Sequence, residues 1–136
     1  MSVRALILVG LLALSTSALA EPRPRLQGVS AARIANYNAP SVLFETRDEV
    51  RAVVEDLNEL RRRKDWQRGE AKVACYSTVV LTSGKKRLGE FRVTPEAIVE
   101  RPVEKGQSSY SLVIGPGDLP RLARMLADIL PAKDCN

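Results

Sequence analysis

The sequence contains no histidine. Histidine is the commonest general base at neutral pH and the commonest zinc ligand, so Ser-His and Cys-His mechanisms are excluded within this chain and no metal site is expected. Aromatic residues are scarce, at 4%, with Trp66 the single tryptophan. No basic stretch is interleaved with aromatics, so the stacking platforms of specific nucleic-acid binding are missing. The longest apolar run, Ala5 to Leu14, falls short of the about 20 residues that span a bilayer.

That run sits in an informative context. Arg4 precedes it, and a small-residue segment ending in Ala18-Leu19-Ala20 follows it. Charged, apolar and small-residue zones in this order predict a secretory signal peptide over residues 1–20, cleaved before Glu21. No cysteine follows the small residues, so neither a lipid anchor nor a transmembrane anchor is expected, and the mature protein is periplasmic or secreted. Loss of Arg4 lowers the formal charge from +5 to +4, a mild basicity.

The remaining chain has room for one core. Residues 21–40 read as a flexible N-terminal arm. Two early prolines favour extended backbone, and Arg23, Arg25 and Arg33 are its charges after Glu21. Within it, Ala31–Tyr37 is predicted to form at most a helical turn. Residues 41–136 read as a single α+β domain, opening on Ser41–Phe44 as a short strand or an extended lead-in. Thr46-Arg47-Asp48-Glu49 fits a capping box, and Val50, Val53, Val54, Leu57 and Leu60 follow at helical spacing. This predicts a first helix over about Arg47–Lys64, with Asp48, Glu49, Glu55, Asp56 and Glu59 on its solvent side. Strands are predicted over Lys72–Thr82, Lys86–Val93, Ala97–Val103 and Ser108–Ile114; Leu88, Phe91 and Val93 do not alternate cleanly, and a bulge at Gly89 between them would restore their common face. Asp118 and Pro120 start a second amphipathic helix that Pro131 stops. The expected fold is a four-stranded, mainly antiparallel sheet carrying both helices on one face, in the order α-β-β-β-β-α.

Cys75 and Cys135 are the only cysteines. In an exported chain they predict a structural disulfide, since redox pairs are usually spaced Cys-x-x-Cys.

Candidate chemistry is thin. Ser83 and Lys86 have the spacing of a serine–lysine pair, but in a hairpin rather than at a helix start. Gly115-Pro116-Gly117 lacks the lysine and spacing of a phosphate loop. The carboxylates, including Glu90, Glu96, Glu100 and Glu104, select no facing pair. No catalytic residue and no cofactor is therefore assigned. Partner contact is the remaining role. Its candidates are Tyr76, Thr78 and Val80 on the open sheet face, the hairpin tip Lys85, Lys86 and Arg87, the basic helix end Arg61, Arg62, Arg63 and Lys64, and Trp66 as a platform, although Trp66 reads first as a cap on the core where the first helix leaves the sheet. These point to a non-enzymatic exported protein that binds another protein or an anionic envelope component. The alternatives are an inhibitor of an exported hydrolase, with the Thr82–Arg87 hairpin as its inserted loop, and, third, a carboxylate-based enzyme acting on glycans.

Overall fold

The computed structural model describes residues 22–135; the expected signal peptide lies outside them. In chain order the elements are β1 (Ala31–Ala35), β2 (Val42–Phe44), α1 (Arg47–Arg61), β3 (Gln67–Arg68), β4 (Ser77–Ser83), β5 (Lys86–Val93), β6 (Ala97–Arg101), β7 (Tyr110–Val113) and α2 (Pro120–Asp128). The chain is α+β with two helices and one disulfide. The sheet has seven strands rather than four, in the order β2-β1-β4-β5-β6-β7-β3, and every pairing is antiparallel.

The additional strands come from segments with little sequence pattern. Ala31–Ala35 was expected inside a flexible arm, as a helical turn. It is a strand paired on both sides, with β2 and β4. Its inward side chains are Ala32 and Ile34, fully buried. A strand this short with an alanine inward carries almost no alternation signal, and tertiary burial decides its state. β6 is likewise internal, and it ends at Arg101, before Pro102.

β4 starts at Ser77, five residues later than its pattern suggests, because Cys75 takes a left-handed φ of 55° that interrupts extended backbone. β5 coincides with its expected range. Pairing shifts between Leu81 opposite Gly89 and Thr82 opposite Arg87, which leaves Leu88 as the extra residue of a bulge. That bulge turns Gly89, and not Leu88 as expected, to the face of Phe91 and Val93. Gly89 allows a close approach there, since a Cβ on it would lie 3.0 Å from the Phe91 ring.

One face of the sheet is buried. Ala32, Ile34, Val79, Leu81, Phe91, Val93, Ile98 and Leu112 form a single cluster with Val53, Leu57 and Leu60 of α1, Leu122 of α2, and Trp66. α1 leaves β2 at one sheet edge and delivers the chain to β3 at the other, so its axis must cross the strands. Its 15 residues span about 22 Å at 1.5 Å each. Seven strands about 4.8 Å apart are roughly 29 Å wide, and the connectors supply the difference.

The helix caps differ from expectation. Thr46 Oγ1 accepts from the Glu49 N–H at 3.3 Å, as in a capping box, but its hydroxyl also donates to the Glu49 carboxylate at 2.6 Å. Asp118 does not cap α2; its carboxylate accepts from Gly115 N–H at 2.8 Å. The cap comes from α1. Asp56, expected on the solvent side, is 1% exposed and accepts from the Arg121 and Leu122 N–H groups at 2.7 and 2.8 Å. At the other end of α2 the Asn36 amide donates to the carbonyls of Leu126 and Leu130 at 2.9 and 3.0 Å. A nine-residue helix is too short to be stable alone, and here both its ends are satisfied from outside.

Candidate functional site

The disulfide joins Cys75 to Cys135 across a Cα–Cα distance of 5.7 Å. It holds the tail beside the start of β4. Lys133 N–H donates to Tyr37 C=O at 2.9 Å, and the Asn38 amide donates to the Asp134 carboxylate at 3.3 Å. The tail, the β1–β2 connection and α2 thus form one braced unit.

Of that unit, α2 walls an apolar groove of about 390 Å³, with Cys75 at its margin. The end of β5 contributes Val93, the β5–β6 turn Pro95, the β7–α2 loop Ile114 and Pro116, and α2 Leu122 and Leu126. Among the described residues, the only side-chain hydroxyls lining it are those of Ser77 and Thr94, and no ionisable side chain lines it. Its volume is at the lower end of the roughly 300–1,000 Å³ typical of ligand sites. Val113, immediately before Ile114, is 76% exposed. The groove, with walls of this kind, suits apolar groups. Sequence reading missed it because its residues come from three separate loops and one helix face. The signal available was the density of proline and leucine around Gly115–Leu126.

The expected contact residues are dispersed. Thr78 and Val80 lie on the sheet face opposite the helices, half-buried. Tyr76 stands just before β4, with the Arg92 guanidinium 4.6 Å from its ring centroid and Tyr37 packed edge-on. Much of that face is an ion-pair ladder: Arg92 and Arg101 share Glu70 at 2.8 and 3.3 Å, and Arg101 and Arg87 reach Glu90 at 3.5 and 2.8 Å. Lys85 and Lys86 are exposed at the hairpin tip, where Gly84 has a φ of 58°, the positive φ that tight hairpins need at this position.

The basic helix end is divided between core and surface: Arg62 and Lys64 are exposed, Arg63 is half-buried, and most of its charge is paired. Arg61 is buried and pairs with Glu100. Burial pushes its guanidinium below the usual value, with Glu100 opposing that shift. Arg62 pairs with Glu59 at 3.0 Å. Arg63 bonds Asp65 at 2.5 Å and reaches Asp118 at 3.5 Å. The bond to Asp65 lifts the Arg63 guanidinium and lowers the Asp65 carboxyl. Only Lys64 of the run makes no ion pair among the described residues. Trp66 is no platform. It is 1% exposed, and its indole N–H donates to Leu60 C=O at 2.8 Å, closing the core where α1 ends. Glu100 and Asp56 are the buried carboxylates among the described residues, and both are engaged, one by arginines and the other by α2.

No helix among the described residues is long and apolar enough to cross a membrane. No protein-family model matches the chain, and neither a curated protein nor a solved structure matches it.

Proposed function

We propose that this chain is an exported, non-enzymatic binding protein whose protein partner inserts apolar side chains into the α2 groove. The observation that carries this reading is the composition of the groove among the described residues: apolar walls, two hydroxyls and no ionisable side chain. Two further observations support it. Asp56 and Asn36 hold α2 from both ends, so the groove is preorganised and little ordering entropy is lost on association. The disulfide and the N-terminal signal pattern both suit an oxidising compartment outside the cytoplasm.

The test is a capture experiment with the oxidised chain from residue 21 onward as bait, against envelope and secreted extracts at low and high salt. Ala123, exposed on α2 and lining the groove, is replaced in parallel by arginine. The expected result is one protein retained saturably at both salts by the wild type and lost with Ala123→Arg. Retention unaffected by Ala123→Arg but abolished by Lys85→Glu with Lys86→Glu would overturn the groove and favour an inhibitory hairpin. Capture of many acidic components at low salt only would make the surface charge, rather than the groove, responsible.

A further inference from the structure

Residues 22–26 are held on the fold as a short peptide ligand is held. Their backbone is gripped by α1, through the Arg61 carbonyl and the Asn58 and Arg61 side chains, rather than by a neighbouring strand. Arg23 N–H donates to Arg61 C=O at 2.8 Å, and Arg61 Nε donates to Pro24 C=O at 2.5 Å. Asn58 takes both backbone groups of Leu26, accepting from its N–H at 2.7 Å and donating to its C=O at 3.2 Å. Two sockets receive side chains. The Arg23 guanidinium lies 3.8 Å from the Tyr110 ring centroid, and its Nη2 is 3.4 Å from Glu100. Leu26 is buried in the core cluster beside Gly89. Pro22, Pro24 and Arg25 between and before them face solvent.

Such a track discriminates sequence at two positions, an arginine and a leucine three residues later. Asn58 is only 4% exposed, and both its hydrogen bonds serve this one segment. A buried mid-helix amide is unfavourable without partners, so the track is built around an extended chain. The chain's own arginine fills its socket incompletely. Arg23 Nε and Glu100 Oε1 are both buried without a hydrogen-bond partner among the described residues. Glu100 is already paired with Arg61, and the Arg23 contact is long. An arginine able to engage both carboxylate oxygens would gain the bidentate geometry that Arg23 lacks. Beyond Leu26, Gln27 and Gly28 are exposed, and Gly28 turns the chain with a φ of 74°, so residues 22–26 can leave without breaking β1.

We propose that the track formed by Asn58, Arg61, Glu100 and Tyr110 recognises an extended Arg-x-x-Leu segment of a protein partner, and that residues 22–26 occupy it as a built-in competitor. The track shares no residue with the α2 groove, so the two sites stand or fall separately. The probe is a fluorescent peptide with the sequence of residues 22–28, Pro-Arg-Pro-Arg-Leu-Gln-Gly. It is titrated into the oxidised chain from residue 21 onward and into the same chain carrying Arg23→Ala and Leu26→Ala. Removing the internal competitor raises the fraction of vacant track, so binding to the double variant is expected to tighten about tenfold. Adding Asn58→Ala, or replacing the arginine and leucine of the peptide by alanine, should abolish it. A double variant with native Trp66 emission that binds no peptide, or that binds the alanine-substituted peptide equally well, overturns the proposal. A measurement on the wild type does not depend on that variant folding. Excess peptide should accelerate hydrogen exchange at the Arg23 and Leu26 amides, and unchanged protection at high peptide overturns the proposal as well.

Discussion

The Asp56 carboxylate accepts from the Leu122 N–H at 2.8 Å, and this contact fastens one helix to the other. The same carboxylate takes the Arg121 N–H and its guanidinium. Asp56→Ala removes the cap and strands two backbone donors, so it is expected to destabilise the oxidised protein by about 2–3 kcal/mol. Asp56→Asn keeps one acceptor and should lose less. Urea denaturation of the three proteins checks the ranking.

Reduction of Cys75–Cys135 frees a loop with a sequence separation of 60. In the chain-entropy description this lowers stability by about 4 kcal/mol. Urea midpoints measured with and without reductant should differ accordingly. Equal midpoints would mean that the hydrogen bonds from Tyr37, Asn38 and Asn36 hold the tail and α2 unaided.

Gly89→Ala would push a methyl group against the Phe91 ring in a part of the core where nothing can retreat to solvent. Overpacking of this kind destabilises by about 1–3 kcal/mol. The same substitution at Gly115, where a Cβ meets nothing within 4 Å, is the control and should be close to neutral.

Asp65 gives a small, signed pH effect. The Arg63 guanidinium holds its carboxyl below the ordinary range, so the folded state binds that proton less readily than the unfolded one. The stabilisation is fully present above the unfolded value, about 3.9, and is lost as pH falls through the folded value. Both partners are partly exposed, which limits it to under about 1 kcal/mol. Asp65→Asn should therefore be slightly less stable than wild type at neutral pH, with the gap closing in acid.

Trp66, the single tryptophan, is buried and hydrogen-bonded. Its emission should be blue-shifted in the folded protein and insensitive to iodide. Strong iodide quenching would place the ring at the surface and contradict its role in closing the core.

What could be read from the sequence follows from where the apolar signal was strong. The stripe Val50, Val53, Leu57 and Leu60 announced α1, β5 was legible between its two turns despite broken alternation at Leu88 and Gly89, and the cysteine pair was legible from compartment alone. The polar residues inside the core were harder to see, though a signal existed. Arg61 follows Leu57 by four, and Asp56 follows Val53 by three and precedes Leu60 by four, so both lie on or beside the apolar stripe. Polar side chains in that position were read as solvent-facing because their partners, Glu100 and the start of α2, are remote in sequence. β1 escaped notice because alanine supplies burial without supplying a pattern. The groove escaped for a related reason: loops that meet only in three dimensions leave no periodic trace.

The most direct test of the proposed binding role is photocrosslinking in the producing cell, with a photoreactive residue at position 123 in the α2 groove or at position 85 on the hairpin tip. A single defined protein adduct from position 123, with none from position 85, is the predicted result. Adducts from position 85 alone, or none from position 123 in correctly oxidised protein, would contradict it.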